Sequence, residues 1–211
     1  MPESPPILEL RSLPTQKRSR QTFERILIET GVLLEEVGFD AFNTNLLSSR
    51  SGIGVRAIYR YFPNKFSLVC ELARRIEGQW RDALDKFYVK HKSVPWPDIW
   101  PLYLDAYIAA VRKTPGGTVI LQAMRSHPEL RAVDDEMTSI YKSGVAQTLL
   151  DNHRTLSLAD ASSIASVLMY TTIAVVDASL GEKPAVAEQL ISHLKSMHMS
   201  FLCNHLAKRT M

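Results

Sequence analysis

Cysteine is scarce in this chain: Cys70 and Cys203 are the only two among 211 residues, far apart and each inside an apolar helical pattern. A disulfide framework is therefore not expected, and a reducing cytoplasm fits. Long apolar runs are missing as well. No stretch reaches eighteen consecutive apolar residues, and the opening MPESPPILEL has neither a basic lead nor an extended hydrophobic segment. Neither membrane insertion nor secretion is expected. Net charge is small, at +3, and does not diagnose a nucleic-acid partner, because phosphate binding depends on where charge sits. The chain also lacks a phosphate-cradling glycine loop, a GxSxG elbow, an HExxH and a CxxC. An enzyme is thus disfavoured, and no cofactor is implied.

What is present is an ordinary globular composition, 45% hydrophobic and 22% charged, long enough for two compact helical units. The basic end is the start: Arg11, Lys17, Arg18, Arg20 and Arg25 face one acid, Glu24, whereas Glu129, Asp134, Asp135 and Glu136 crowd residues 129 to 136. Residues 1–14 hold four prolines, which deny backbone donors and disfavour helix, so they read as a flexible arm. Helix should begin near Thr15. Phe23, Ile26, Leu27, Thr30, Leu34 and Val37 then recur at three- and four-residue steps, one stripe on one face. Gly38 stops that helix. Gly31 sits inside it at a cost of about 1 kcal/mol relative to Ala, which hints that another backbone passes close by.

Residues 43 to 62 predict two short helices around a tight turn, the first capped by Asn43 or Thr44 and ended by Gly52, the second opened by Gly54 and closed by Pro63. A long amphipathic helix follows from Lys65 to about Lys92, with Leu68, Val69, Leu72, Ile76, Trp80, Leu84 and Phe87 on one stripe, until Pro95 and Pro97 break it. Further helices are expected near 97–113, 117–126, 128–151, 157–180 and 184–208. No segment suggests a sheet, so the chain reads as all-α.

The order short helix, glycine turn, short helix is that of a helix-turn-helix, whose second helix enters the major groove. Leu47, Ile53, Ile58 and Phe62 are its expected core. Arg56 and Arg60, four apart and hence on one face, are the first candidates for base reading, since an arginine fork can bond both acceptors of guanine. Val55 could meet a thymine methyl. Tyr59, Tyr61 and Lys65 suit phosphate oxygens, as do Thr44 and Asn45 at the start of the bracing helix. The basic stretch from Lys17 to Arg20 would add salt-sensitive attraction. The plainer reading of two arginines is a solvated helix face; the full turn-helix pattern is what favours the sharper one.

Residues 23 to 69, above all SGIGVRAIYRYFPNKFSLV, resemble the DNA-binding domain of tetracycline-repressor (TetR) family regulators. The likeness rests on Gly52-Ile53, Tyr59 with Phe62, Lys65 and Gly38-Phe39, without a gap over some forty residues. By that resemblance Thr44, Asn45, Val55, Arg56, Ala57, Tyr59, Arg60, Tyr61 and Lys65 fall where the family touches DNA. The sequence departs from the family pattern at Ser48, Gly54 and Ala57, the last removing one possible phosphate contact. After the arm at 1–14, the resemblance further implies a DNA-binding domain at 15–70 and a ligand-binding and dimerisation domain at 71–211 that pairs through helices 157–180 and 184–208. A homodimer released from a palindromic DNA operator by a small, largely apolar effector is the function it implies.

Trp80, Trp96, Trp100, Tyr103, Tyr107, Met124, Tyr141, Met169 and Tyr170 could line the pocket for that effector, although core packing explains such residues equally well. Acidic pairs such as Asp82 with Asp85 read as solvated faces. His193, His198, Cys203 and His205 include metal-ligand types, but the five-residue step between the first two turns them apart on a helix, so no metal site is expected and solvated or interface histidines fit better. Two rivals stand beside the repressor reading. One is an all-helical carrier or enzyme whose helix-turn-helix is structural; the other is a ligand-dependent activator.

Overall fold

The computed structural model describes residues 6–94 and 98–206. Among these, nine α-helices run in order: α1 Lys17–Ala41, α2 Thr44–Ser51, α3 Val55–Tyr61, α4 Lys65–Lys90, α5 Ile99–Lys113, α6 Gly117–Ser126, α7 Arg131–Asn152, α8 Leu158–Leu180 and α9 Pro184–Leu206. A short 3-10 turn, Pro128–Leu130, precedes α7, and the described residues contain no strand. Pro95, Trp96 and Pro97 lie outside the described residues, as do positions 207 and 208 of the last expected helix.

The first helix follows its stripe. Phe23, Ile26, Leu27, Thr30 and Leu34 are buried, joined by Leu33, whereas Val37 is exposed. Gly38 interrupts the helix at φ 75°, but one further turn carries on to Ala41. The stripe therefore slips out of phase just where the axis changes direction.

The chain divides into two compact units, residues 1–80 with 111–134 and residues 81–110 with 135–211. Helix α4 runs straight through position 70, where sequence placed the boundary, and contributes to both. The first unit takes in α6 because of a backbone contact. Gly116, at φ 71°, lies so close to α1 that an added Cβ would stand 2.6 Å from the Gly31 carbonyl oxygen. A Cβ on Gly31 would in turn meet the Pro115 carbonyl at 3.1 Å. The close approach that Gly31 hinted at is thus the Pro115-Gly116 turn. Trp80 reinforces it, its indole donating to the Thr114 hydroxyl at 3.0 Å.

In the same unit Phe23 stacks on Phe62 at 5.0 Å between ring centroids and meets Tyr61 edge-on at 5.2 Å. Buried side chains of this size each contribute about 1.5–3 kcal/mol, and these join α1 to α3. The second unit has its own core of Trp100, Leu104, Leu149, Ala165, Leu168 and Leu202, within which α8 packs along α9. Helix α8 is long and apolar enough to cross a membrane by length and composition.

Residues 7–12, expected to be a free arm, are tied to the end of α3. Arg11 N–H donates to the Tyr61 carbonyl at 2.8 Å, and Asn64 Nδ2 donates to the Ile7 carbonyl at 2.9 Å. The segment is not helical; what composition did not reveal is that the chain there finds hydrogen-bond partners elsewhere.

Candidate nucleic-acid interface

Helix α2 begins at a side-chain cap: Asn43 Oδ1 accepts the Leu46 N–H at 2.9 Å, satisfying a donor that the first helical turn leaves unpaired. Thr44 is the first helical residue, not the cap. At the other end Gly52 adopts the left-handed conformation, φ 67° and ψ 10°, which a side chain would resist. This reverses the chain into α3. Leu47, Ile53, Ile58 and Phe62 are all buried, as expected, and Arg25 on α1 donates to the Ser51 carbonyl at the turn. The turn is therefore fastened to α1 by both packing and charge.

With Ile58 and Phe62 turned inward, α3 presents Arg56 and Arg60 to solvent. A groove beside them is lined by Thr15, Gln16, Arg18, Ser19, Arg56 and Arg60, with no carboxylate among its lining residues. Three guanidiniums and five hydroxyl or amide side chains, Thr22 and Tyr61 included, around one concave surface form an anion-binding arrangement. Tyr59 and Thr44 meet through their hydroxyls at 3.0 Å, so α3 and the start of α2 share one polar point on the same side. Asn45 is exposed next to it, while Val55 and Ala57 are half-buried.

Two further expected contacts are tied into the packing. Tyr61 is only 3% exposed and packs against Phe23, because it lies three residues after Ile58 on the inward face, and it also lines the arginine groove. Lys65 donates to the Phe39 carbonyl at 3.3 Å and lies 4.3 Å from the centre of the Phe39 ring. Its cation is thus occupied in joining α4 to the end of α1, partly through cation–π attraction.

The second unit contains a cavity of about 250 Å³ lined by Arg81, Leu84, Asp85, Tyr88, Tyr103, Ile140, Tyr141, Gly144 and Val145. Of the effector candidates it brings Tyr103 and Tyr141 together. Trp100 stacks on Tyr103 at 5.2 Å and Tyr107 stands edge-on to Tyr141 at 6.4 Å, one layer behind. Met169 belongs to the surrounding core. Met124 is fully buried but in the first unit, and Tyr170 is 58% exposed on α8, its hydroxyl accepting from Lys142. Neither lines this cavity. Tyr88, missed in sequence, continues the α4 stripe four residues after Leu84, and that step was the available signal. Burial pushes the hydroxyls of Tyr88 and Tyr103 above the ordinary tyrosine range, so both act as neutral phenols.

His198, expected at the solvent or an interface, is instead 1% exposed inside the second unit. Trp100 Nε1 donates to its Nδ1 at 3.0 Å. The ring proton therefore sits on Nε2, which donates to Thr171 Oγ1 at 2.7 Å. Thr171 donates its own hydroxyl hydrogen bond to the Val167 carbonyl at 2.6 Å. Desolvation lowers the imidazole pKa to about 4, keeping the ring neutral.

Comparison with known proteins agrees with this architecture. Residues 26–72 match the family described as bacterial regulatory proteins, tetR family, and residues 95–202 match the tetracyclin repressor-like C-terminal domain. The nucleoid occlusion factor SlmA of Haemophilus ducreyi is 29% identical over 116 residues, which span 55% of this chain and 55% of that protein, so the chain spans about half the length of this relative. A TetR-family transcriptional regulator from Streptomyces coelicolor superimposes with a TM-score of 0.63 at 21% identity, over 86% of this chain and 97% of that one. A putative TetR-family regulator from Syntrophomonas wolfei gives 0.70 at 14% identity, over 89% and 96%. At these identities the two structures speak for the fold. The C-terminal match alone covers half the sequence, and the N-terminal match contains the helix-turn-helix and its exposed arginines: the chain belongs to the TetR family of DNA-binding transcription regulators.

Proposed function

We propose that the protein is a homodimeric repressor that reads a palindromic operator and lets go when a small, largely apolar effector fills the second unit. The observation that carries the DNA part is the carboxylate-free groove in which Arg18, Arg56 and Arg60 converge. Arg56 and Arg60 read guanine edges in this scheme; Arg18, Ser19 and the Thr44–Tyr59 hydroxyl pair hold the flanking phosphates. Thr44, Asn45, Val55, Ala57 and Tyr59 complete the contact set, with Lys65 and Tyr61 supporting it from behind.

A second copy would dock on α8 and α9. On α8, Ser163, Val167, Tyr170, Ala174 and Ala178 form one exposed stripe, and on α9 Val186, His193 and Met197 do the same. Small and apolar side chains at helical spacing suit a helix–helix interface, which accounts for the apolarity of α8 without a membrane. A two-fold pair would place its recognition helices roughly 34–36 Å apart for half-sites one turn apart, hence a palindrome. DNA as partner places the protein in the cytoplasm.

The effector site is the tyrosine-lined cavity of the second unit. Release from DNA requires the effector to prefer one state over the other, by about 5.5 kcal/mol for a near-complete switch.

Selection of random duplex DNA by the purified protein tests the reading. An enriched palindrome, with each of Arg56→Ala and Arg60→Ala costing about 1–3 kcal/mol of operator binding, is the expected result. Weak binding abolished by salt, with no enrichment, would favour the carrier reading. Reporter output with and without the protein separates repressor from activator.

A further inference from the structure

The last turn of any α-helix leaves four carbonyls without an internal partner. Helix α3 is only seven residues long, and helices this short are unstable unless held by their surroundings. Its amino end receives no side-chain hydrogen bond, since Gly54 occupies the cap position. Its carboxyl end is different. Ile58 O accepts the Phe62 N–H at 3.0 Å. The other three carbonyls are all taken by the segment before α1. Tyr59 O accepts Arg11 Nη1 at 3.2 Å, Arg60 O accepts Ser12 Oγ at 3.0 Å, and Tyr61 O accepts the Arg11 N–H at 2.8 Å. Asn64 fixes the far end of the segment by donating to Ile7 O. The Arg11 guanidinium also sits at the negative end of the helix dipole.

We propose that residues 7–12 are the carboxyl-terminal cap of the recognition helix, supplied from 48 residues earlier in the chain, and that this cap sets the DNA specificity of Arg56 and Arg60. The proposal rests on the DNA-reading assignment above. The mechanism is positional. Arg60 and Tyr59 offer their own carbonyls to the arm, so the cap grips the residues adjoining the reading face and resists fraying of a helix with less than two turns. Attraction to phosphate is not the arm's contribution: residues 2–12 contain Glu3 and Glu9 against Arg11 alone. Removing them makes the chain more positive, which by charge alone strengthens nonspecific binding.

That opposition gives the test, made on the otherwise complete protein. Three variants are compared with wild type: deletion of residues 2–12, Arg11→Met, which keeps the backbone donor, and Ser12→Ala. Affinity is measured for the selected operator and for a scrambled duplex across a salt series, and α3 amide exchange is followed without DNA. The expected result for the deletion is about a tenfold loss of operator affinity with scrambled-duplex affinity undiminished and the salt slope retained. Amides of α3 should exchange at least about tenfold faster, and the two point variants should show smaller changes in the same direction. Equal losses on both duplexes with a shallower salt slope would overturn the proposal in favour of direct phosphate contact; unchanged operator affinity or unchanged α3 exchange would also overturn it. If wild type enriches no operator, the DNA-reading assignment fails instead, and exchange alone decides whether the arm holds the helix.

Discussion

The two units use glycine in opposite ways. In the first, Gly116 lets two backbones touch, and a Cβ there would penetrate the Gly31 peptide. In the second, Gly144 sits within α7 on the wall of the tyrosine-lined cavity, and a Cβ there would meet nothing within 4 Å. One glycine closes a joint; the other leaves a space. The first unit is accordingly a set of fixed registers, with an Asn43 cap, a left-handed turn and a guanidinium on Ser51, and the second is a core with an open, tyrosine-lined pocket at its edge. A reading head must present its side chains at set positions, whereas a binding chamber must spare volume.

The sharpest way to break this contrast is Gly116→Ala. The substitution combines a left-handed backbone with a clash against main chain that cannot swing aside, so the first unit should lose about 3 kcal/mol or more in urea unfolding. A loss under about 1 kcal/mol would show that the joint yields and the contrast is overstated.

Next in size is an acid effect confined to the second unit. His198 is held neutral with a pKa of about 4, whereas in the unfolded chain it titrates near 6.5. The unfolded state therefore takes up the proton first, and stability present above pH 6.5 drains away as pH falls toward 4, by about 3 kcal/mol in all. His198→Gln keeps a donor and an acceptor but cannot titrate, so the difference between its pH–stability curve and that of wild type should isolate this window. Parallel curves would mean that the ring is hydrated.

Thiol labelling offers a smaller contrast within the first unit. Burial raises the Cys70 pKa to about 11, so at pH 8 about a thousandth of it is thiolate. Its alkylation should be undetectable until the unit unfolds. Smallest of all, Gly144→Ala should stabilise α7 by up to about 1 kcal/mol, the ordinary helix propensity difference. A bulkier Gly144→Leu should keep the fold and exclude any ligand of the cavity. Effector binding unimpaired by the leucine would place the effector site elsewhere.

The fold was largely legible because helical periodicity and breakers are local signals. Gly31 hinted at a close backbone, and the Pro115-Gly116 turn supplies it, although Gly78 and Gly144 show that a mid-helix glycine need not have such a neighbour. The exposed arginines were legible for the same reason: four-residue spacing fixes a shared face, and a motif fixes which face. Tyr61 was read only for its hydroxyl, although its three-residue step from Ile58 already turned its ring inward, where it packs on Phe23 and also lines the arginine groove. Lys65 could not be placed, since its acceptor, the Phe39 carbonyl, becomes available only where the chain bends after Gly38. The cavity was illegible for a different reason. Periodicity tells which face of α4, α5 or α7 is apolar, but Tyr103 on a filled face and Tyr103 beside a void look the same in sequence. Met124 shared the aromatic residues' character without sharing their unit, and Tyr170 lay on the outward stripe with Val167 and Ala174. The arm's role was hidden most deeply, because its acceptors are main-chain oxygens and carry no side-chain signature.

The hydrogen bond from Trp100 to His198 makes the second unit its own optical instrument. Indole emission responds to a hydrogen-bond partner and to the charge of a neighbouring ring, and Trp100 also stacks on Tyr103, whose other side borders the cavity. With Trp80 and Trp96 replaced by Phe, the emission of Trp100 alone would report both His198 protonation and the arrival of an occupant. Compounds could then be screened by fluorescence, without a label and before any operator is known.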